Sequence, residues 1–350
     1  MEKLFAPAAL TGFAVTLLEA GGMDADKAAV VAGLLVDADL MGHDTHGLNL
    51  LPGYLADLER GKLVGSGEPE ILNDRGAVSH WDGRWLSGVW LTARALDVAA
   101  DRALQFGIGA VNIKHAHHTA CLQAYLPRIT ERGLMAIIAS SDPSAQSVAA
   151  FGGLDPVIGP DPLAIGIPTR GDPVLIDMSS SITTNGMTGR VAAEGGRLRG
   201  QWLQDSAGNL SNDPQVLKTD PPGTLLLTGG QDYGQKGYGM ALTVEALSHG
   251  LSGYGRRNSE RRWSASVFVQ VIDPAAFSGS TDFLDETDHL VDLCHGSRPH
   301  PSLEAVRMPG EQALARKRRA LAEGLKLYPG IWERLLASAE RLSVPIPPDL

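Results

Sequence analysis

The sequence predicts an α/β fold with α+β character, because helical and strand-like segments alternate along it without internal repeats. Its length of 350 residues exceeds the usual limit of a single hydrophobic core, so we expect two packed domains. The glycine fingerprint of the common dinucleotide-binding fold is incomplete: Gly107 and Gly109 follow a predicted helix instead of a strand, and Asn112 occupies the third glycine position. No GxxxxGK[ST] loop and no GxSxG turn occurs either. A nucleotide site in this chain must therefore use a different geometry.

Apolar periodicity and helix-stop residues predict the helices, and short runs of apolar residues predict the strands. The first helix ends at Gly21-Gly22, and the second is entered through Asp24 and Asp26. Helices are predicted at 7–20, 25–41, 90–106, 238–251 and, on either side of Tyr328-Pro329-Gly330, within 311–341. Strands are predicted at 110–113, 136–139, 163–167, 174–176 and 265–272, and 194–234 is predicted to be mostly loop.

Composition and charge favour small molecules as partners. The chain has 43% hydrophobic and 20% charged residues, with a formal net charge of −10. Nucleic-acid grooves and anionic membrane surfaces require clustered Lys and Arg, so neither is expected to be the main partner. The two cysteines, Cys121 and Cys294, form no disulfide framework, and neither a long apolar run nor a basic N-terminal leader is present. We therefore expect a soluble, cytoplasmic protein.

Two short segments hold half of the ten histidines. The first, Gly42–Gly47, reads Gly-His-Asp-Thr-His-Gly, and the second, 115–118, contains three more. Imidazole titrates near neutral pH and can pass protons, and a carboxylate such as Asp44 can fix which ring nitrogen carries the proton. Alternatively, His43 and His46 form a polar rim or a hydrogen-bonded pair on one helix face. Zinc binding by three imidazoles is a further alternative, although no HExxH spacing is present.

A series of short motifs runs in order along nearly the whole chain. They are Gly42–Gly47 with Leu51-Pro52 and Tyr54, Asp82-Gly83 with Gly88, His118, Phe151–Gly153, Gly159–Pro162, Asp177–Ser181, Trp202–Asp205 with Gly208, Lys236–Gly239 and Met308–Glu311. In this order they resemble the malate/lactate dehydrogenase type 2 family, a group of NAD(P)-dependent oxidoreductases. No single motif decides the resemblance, but their common register does.

The resemblance implies a non-Rossmann cofactor domain with a mixed, largely antiparallel sheet, beside a helical domain built from both chain ends. By this resemblance, residues 1–115 and 260–350 form the helical domain for substrate binding and dimerisation, residues 116–259 bind NAD or NADP, and the protein is a homodimer. It also implies hydride transfer between the nicotinamide and a 2-hydroxy or 2-oxo acid, or a cyclic imine that carries a carboxylate.

The same resemblance implies the site residues. His46 and His118 are the candidates for moving the proton that accompanies the hydride, and the resemblance does not choose between them. Thr45 and Asp177 are expected to form a relay with His46. Leu50, Tyr54 and Pro160 are expected to contact substrate. The expected cofactor-binding residues are Ser141, Asp142, Asp177, Met178, Ser179, Lys236 and Gly237, with Lys236 as the cation that answers the cofactor's phosphates.

Two positions depart from the family pattern. Leu50 stands where the family commonly has an arginine, and Pro160-Asp161 replaces a Thr-Asn pair. A leucine cannot pair with a substrate carboxylate, so we expect a larger, less anionic or differently oriented substrate, or another arginine as the clamp. Two other functions remain open at this point. One is a metal-dependent hydrolase or lyase that uses His43, His46 and His118, and the other is a binding protein on an inherited enzyme fold.

Overall fold

A computed structural model describes residues 3–260, 262–348 and 350. Within these residues the α-helices cluster at the two ends of the chain. They are α1 (Pro7–Ala20), α2 (Ala25–Met41), α3 (Leu51–Glu59), α4 (Gly88–Phe106), α5 (Pro127–Thr130), α6 (Asn185–Ala193), α7 (Gly230–Tyr233), α8 (Gln235–Glu245), α9 (Ser280–His295), α10 (Glu311–Glu323) and α11 (Ile331–Leu342). None of the helices in this part of the chain is long and apolar enough to cross a membrane.

The strands form one large and one small sheet. They are β1 (Glu70–Asp74), β2 (Val78–Asp82), β3 (Ile108–Ala116), β4 (Met135–Ser141), β5 (Val148–Ala149), β6 (Pro156–Ile158), β7 (Leu163–Ile167), β8 (Val174–Met178), β9 (Leu203–Gln204), β10 (Leu210–Ser211), β11 (Thr224–Leu225) and β12 (Ala265–Ile272). The seven-stranded sheet has the order β1-β2-β3-β12-β4-β7-β8, and the five-stranded sheet has the order β10-β9-β11-β5-β6. Only β2 and β3 pair in parallel in the large sheet, which confirms the predicted mixed, largely antiparallel architecture.

The main hydrophobic core lies between the helices and the large sheet. Leu17, Leu35 and Leu96 of the helices are fully buried together with Val111 and Val267 of the central strands. Burial of such side chains contributes about 1.5–3 kcal/mol each, which makes this core the main source of stability. A second, smaller core lies against the five-stranded sheet and contains Val148, Leu203 and Leu225.

The predicted boundary between the two domains falls between neighbouring strands at the centre of the large sheet. Strand β12 belongs to the predicted helical domain, yet from Ser266 to Ile272 it pairs with β4 of the predicted cofactor domain. The two chain ends do supply most of the helices. The exact division stays a prediction.

Regular elements with a strong apolar pattern lie where the sequence predicts them. Helices α1 and α2 and strands β7 and β12 match their predicted bounds to the residue. The pattern did not reveal β1 or α9, because every residue of β1 is exposed and no residue of α9 is buried. Segment 194–234 is mostly irregular but contributes β9, β10 and β11 to the small sheet.

Candidate active site

One edge of the large sheet gathers the predicted site residues. Strands β3, β4 and β8 end at this edge, and β7 and β12 begin there, as their antiparallel pairing requires. The loops at this edge line a cavity of about 770 Å³ together with the segment after α2. Its lining comes from residues 42–46, 49–50, 118–122, 140–142, 145, 160–162, 177–179, 181–182, 184–187, 228 and 263–265.

The histidine segment enters the cavity because α2 ends abruptly. Gly42 has a φ of 89°, a left-handed conformation that favours glycine, and the amide of His43 donates to the carbonyl of Ala38 at 2.8 Å. His43 and His46 therefore lie in the turn after the helix, so the alternative that they share a helix face is wrong.

The buried carboxyl group of Asp39 supports this turn through a hydrogen bond. Asp39 Oδ2 accepts a hydrogen bond from the amide of Leu48 at 2.7 Å, and a Cβ at Gly47 would lie 2.3 Å from Asp39 Cγ. Burial raises the pKa of Asp39 to about 8, so this carboxyl holds its proton at neutral pH. Sequence analysis missed Asp39, because Asp26 and Asp37 lie in the same helix and no motif or spacing distinguishes Asp39 from them.

His118 is held in a single tautomer. The amide of Ala120 donates to His118 Nδ1 at 3.3 Å, and the hydroxyl of Tyr54 lies 2.9 Å from the same atom. A backbone amide can only donate, so Nδ1 is the acceptor and the neutral ring carries its proton on Nε2. Tyr54 is fully buried and is not part of the cavity lining, so its predicted contact with substrate is replaced by support of His118.

We expect the Tyr54→Phe substitution to lower kcat about tenfold, because one of the two donors that orient His118 through Nδ1 is lost. The control is Tyr125→Phe. Tyr125 is equally buried, but its hydroxyl donates to the carbonyl of Thr119 and not to a ring. Steady-state kinetics and thermal melting of both variants check this. If the two variants lose stability and kcat in equal proportion, the hydroxyl of Tyr54 has no special role.

His46 and His118 face each other across the floor of the cavity. Their ring centroids are 6.1 Å apart, and Thr45 Oγ1 lies 2.8 Å from His46 Nδ1. Burial lowers the pKa of His46 to about 4 and holds the pKa of His118 well below its usual range. Both imidazoles are therefore neutral at pH 7. On its other face His118 stacks on Trp263, with ring centroids 4.4 Å apart.

Asp177 has different partners from those expected of a relay. Its Oδ2 accepts a hydrogen bond from the amide of Gln123 at 2.8 Å, and no hydrogen bond joins it to His46 within the described residues. The side chain of Gln123 instead bridges His43 Nε2, at 2.7 Å, to the carbonyl of Leu175. The structure thus pairs Thr45 with His46 and places Asp177 beside Gln123. Burial raises the pKa of Asp177.

Most of the predicted cofactor residues line the cavity. Ser141, Asp142, Met178 and Ser179 do so, and Leu50 and Pro160, predicted to contact substrate, also line it. Lys236 does not: it lies exposed on the first turn of α8, with Nζ 5.2 Å from the ring centroid of Tyr233. Gly237 is buried, and a Cβ there would lie 2.6 Å from the amide nitrogen of Thr228, a lining residue.

Comparison with known proteins identifies the family to which this chain belongs. The family model for malate/L-lactate dehydrogenase matches residues 5–336. The chain belongs to the malate/L-lactate dehydrogenase family. The resemblance predicted from the sequence motifs is confirmed.

Two relatives and one solved structure illustrate this membership. The (2R)-3-sulfolactate dehydrogenase (NADP(+)) of Chromohalobacter salexigens is 32% identical over 335 residues, which are 93% of this chain and 95% of the relative. The malate dehydrogenase of Pyrococcus horikoshii is 28% identical over 343 residues, 96% of this chain and 94% of the relative. The crystal structure of malate dehydrogenase from Entamoeba histolytica covers 99% of this chain and 100% of its own, with a TM-score of 0.93 at 23% identity, and shows the common fold.

As a member of the malate/L-lactate dehydrogenase family, the protein is an NAD(P)-dependent dehydrogenase that acts on a small molecule. The cavity fits a nicotinamide cofactor, since its volume lies within the range of about 300–1,000 Å³ usual for such sites. The hydroxyl of Ser179 donates to the carbonyl of Ser181 and keeps a lone pair for a ligand's hydrogen-bond donor, while Met178 and Ile182 offer apolar surface. When bound, the nicotinamide supplies or accepts the hydride.

The metal-dependent alternative finds no support in this family or in the geometry. Within the part of the chain that the structure describes, no group of three His, Cys, Asp or Glu side chains is placed to hold a metal ion. His43 points its Nε2 at Gln123, and His118 has its Nδ1 occupied by Ala120 and Tyr54.

Sequence analysis also missed Gln123 and Trp263, both of which organise the imidazoles. Gln123 lies in a short 3₁₀-helix after β3, and Trp263 precedes β12. Neither belongs to a motif or a periodic pattern. Their roles arise only because two ends of distant strands meet at the same sheet edge.

Proposed function

We propose that this protein transfers a hydride between NAD or NADP and the C2 carbon of a 2-hydroxy or 2-oxo acid, or reduces a cyclic imine that carries a carboxylate. The observation that supports this most is the pair of neutral imidazoles, His46 and His118, at the floor of a cofactor-sized cavity. The step requires one proton to be removed from, or supplied to, the substrate oxygen or nitrogen.

The two rings have different roles in this proposal. The Nε2–H of His118 can only donate, so this ring holds the substrate oxygen by a hydrogen bond. His46 carries the proton: with its Nδ1–H donated to Thr45 Oγ1, its Nε2 is free to accept the proton of the hydroxyl in the oxidation. In the reduction the imidazolium of His46 returns that proton.

The N-terminus of α6 suits the substrate's carboxylate. A Cβ at Gly186 would lie 3.5 Å from Thr45 Cβ and 3.9 Å from His46 Cε1, so the first turn of α6 adjoins the imidazole. The first amides of a helix have no acceptor within the helix and favour anions. The cofactor's phosphates would then lie towards Thr228 and the first turn of α8, where Lys236 is the nearest proposed cation.

Binding of the cofactor is the direct test. We expect titration of the purified protein with NADH and NADPH to quench tryptophan emission and to enhance nicotinamide emission, with saturation at micromolar concentrations. The cofactor that saturates the protein at the lower concentration is then used to screen 2-oxo acids and cyclic imines. The screen measures oxidation of the reduced nicotinamide. If neither cofactor binds at up to about a millimolar, the proposal is wrong.

The proposed transfer of a proton by His46 predicts a characteristic dependence of kcat/KM on pH. Because the pKa of His46 is lowered to about 4, its neutral form is already present at pH 5, and kcat/KM for oxidation stays level on the acid side between pH 8 and 5. The imidazolium is scarce over that range, so kcat/KM for reduction rises about tenfold for each unit of falling pH. A pH profile in both directions checks this. An inflection near pH 6.5 in both profiles would contradict the lowered pKa.

The homodimer and the absence of nucleic acid among the partners remain proposals that rest on the family resemblance and the net charge. Sedimentation of the purified protein at micromolar concentration tests the first, with twice the chain mass of 37.0 kDa as the expected result. A binding assay with double-stranded DNA at physiological salt tests the second.

A further inference from the structure

The wall of the cavity carries acidic groups, and its only basic side chains among the described residues are the imidazoles of His43, His46 and His118. His43 has its Nε2 2.7 Å from Gln123 Oε1. Four aspartates line the cavity, at positions 44, 142, 161 and 177. Among the lining residues that the structure describes there is no lysine and no arginine. Because His46 and His118 are neutral at pH 7, they add no positive charge.

Asp44 and Asp161 each form an ion pair with an arginine that does not line the cavity. Both arginines also have other contacts within the protein. Arg190 Nη1 donates to Asp44 Oδ1 at 2.8 Å, while the guanidinium carbon of Arg190 lies 3.7 Å from the ring centroid of Tyr328. Arg256 lies 3.5 Å from Asp161 Oδ1 and donates its Nε to Glu245 Oε1 at 2.9 Å. Neither guanidinium is free to bind a substrate carboxylate without leaving another carboxylate unpaired.

The other two carboxylates have only neutral donors. Asp142 accepts from the amide and the hydroxyl of Ser144, and Asp177 accepts from the amide of Gln123. Burial raises the pKa of both groups, so their charged forms are poorly solvated. A cation in the cavity would stabilise these charged forms, and a further anion would oppose them.

Apolar side chains make up part of the remaining lining. Leu50 and Leu122 line the cavity, and so does Trp263, whose indole is a favourable surface for an organic cation. The N-terminus of α6 can meet one carboxylate beside His46, as proposed above. The described lining offers no comparable group for a second anion.

We propose that the substrate carries a single carboxylate with a neutral or cationic remainder, and that this site discriminates against a second negative charge. This inference rests on the proposed function, since it concerns the same cavity and the same hydride transfer. It excludes dicarboxylates and sulfonated 2-oxo acids as good substrates, and it favours 2-oxo acids with an alkyl or ammonium terminus and cyclic iminium carboxylates.

Three 2-oxo acids with the same two-carbon linker test the proposal. They end in a carboxylate (2-oxoglutarate), a tert-butyl group (5,5-dimethyl-2-oxohexanoate) and a trimethylammonium group (2-oxo-4-(trimethylammonio)butanoate), which cannot cyclise. We expect kcat/KM for the tert-butyl compound to exceed that for 2-oxoglutarate by roughly a hundredfold, since juxtaposed like charges are strongly unfavourable. The trimethylammonium compound is expected to equal or exceed the tert-butyl compound.

Each outcome has a separate meaning. Turnover of 2-oxoglutarate at a rate equal to or above that of the tert-butyl compound overturns the charge inference and leaves the proposed function intact. Absence of turnover with all three compounds, with either cofactor, over a pH range of 5 to 8, counts against the proposed function itself.

A gain-of-function variant tests the same inference by changing the charge of the protein and not that of the substrate. Leu50→Arg places a cation on the cavity wall and is expected to raise kcat/KM for 2-oxoglutarate relative to the tert-butyl compound by at least about tenfold. The matched control is Leu50→Met, which adds no charge and is expected to keep the wild-type order. If both variants shift the ratio equally, volume and not charge controls the selectivity.

Discussion

Replacement of His46 by alanine is expected to lower kcat by roughly a hundredfold or more, and His118→Ala by a comparable factor. In the proposed mechanism the first substitution removes the group that exchanges the substrate's proton, and the second removes the donor that holds the substrate oxygen. The two ring centroids are 6.1 Å apart, a separation at which both rings can reach one small molecule, as the proposal requires. Steady-state kinetics in both reaction directions measure the loss.

The control separates chemistry from folding and cofactor binding. His289 is exposed on α9, and His289→Ala is expected to retain the kcat of the unmodified protein. Both active-site variants should also retain NADH or NADPH binding in the fluorescence titration, since neither ring is assigned to the cofactor. A His46→Ala enzyme with near-normal kcat would remove this residue from the mechanism, and the same holds for His118.

The second large effect is expected from Gly88→Ala. Gly88 begins α4, and a Cβ there would lie 1.9 Å from the carbonyl oxygen of His117 and 2.7 Å from that of His118. These are backbone atoms, so the clash can be relieved only by moving the start of α4 or the segment that carries His118. We expect the free energy of unfolding to fall by about 1–3 kcal/mol and kcat to fall about a hundredfold, because a displacement of about 1 Å is enough to misplace a catalytic group.

A glycine without neighbours provides the comparison. Gly33 lies within α2, and nothing lies within 4 Å of a Cβ built there. We expect Gly33→Ala to stabilise the protein by about 0.5–1 kcal/mol, because alanine loses less backbone entropy in a helix than glycine does. Chemical denaturation of both variants measures the two changes. Equal effects of the two substitutions would show that the backbone contact at Gly88 is easily relieved.

Local patterns predicted the regular elements well where burial is strong. Helices α1 and α2 carry apolar residues at helical spacing and stop at glycines, so their bounds follow from the sequence alone. Strand β12 is apolar at six of its eight positions, and each of its residues is buried or half-buried. The exposed strand β1 and helix α9 bury nothing, so no periodic pattern marks them.

The candidate site was predicted in its residue types but not in its contacts. Thr45, His46, His118 and Asp177 all line the cavity. The relay from Asp177 to His46 was not found, because the amide of Gln123 binds that carboxylate. Such a contact depends on which loop backbone lies against β8, and motif spacing carries no information about it.

The sequence by itself determined the helices and strands with a strong apolar pattern, such as α1, α2, β7 and β12, together with the family and the set of titratable groups available for catalysis. Those features depend on apolar periodicity, glycine stops and motif order, all of which are local or additive along the chain. Only the tertiary structure decided which imidazoles meet and which nitrogen of His118 carries the proton. The reason is that Tyr54 and His118 are 64 residues apart in the chain, and their hydrogen bond exists only because α3 and the end of β3 pack at the same sheet edge.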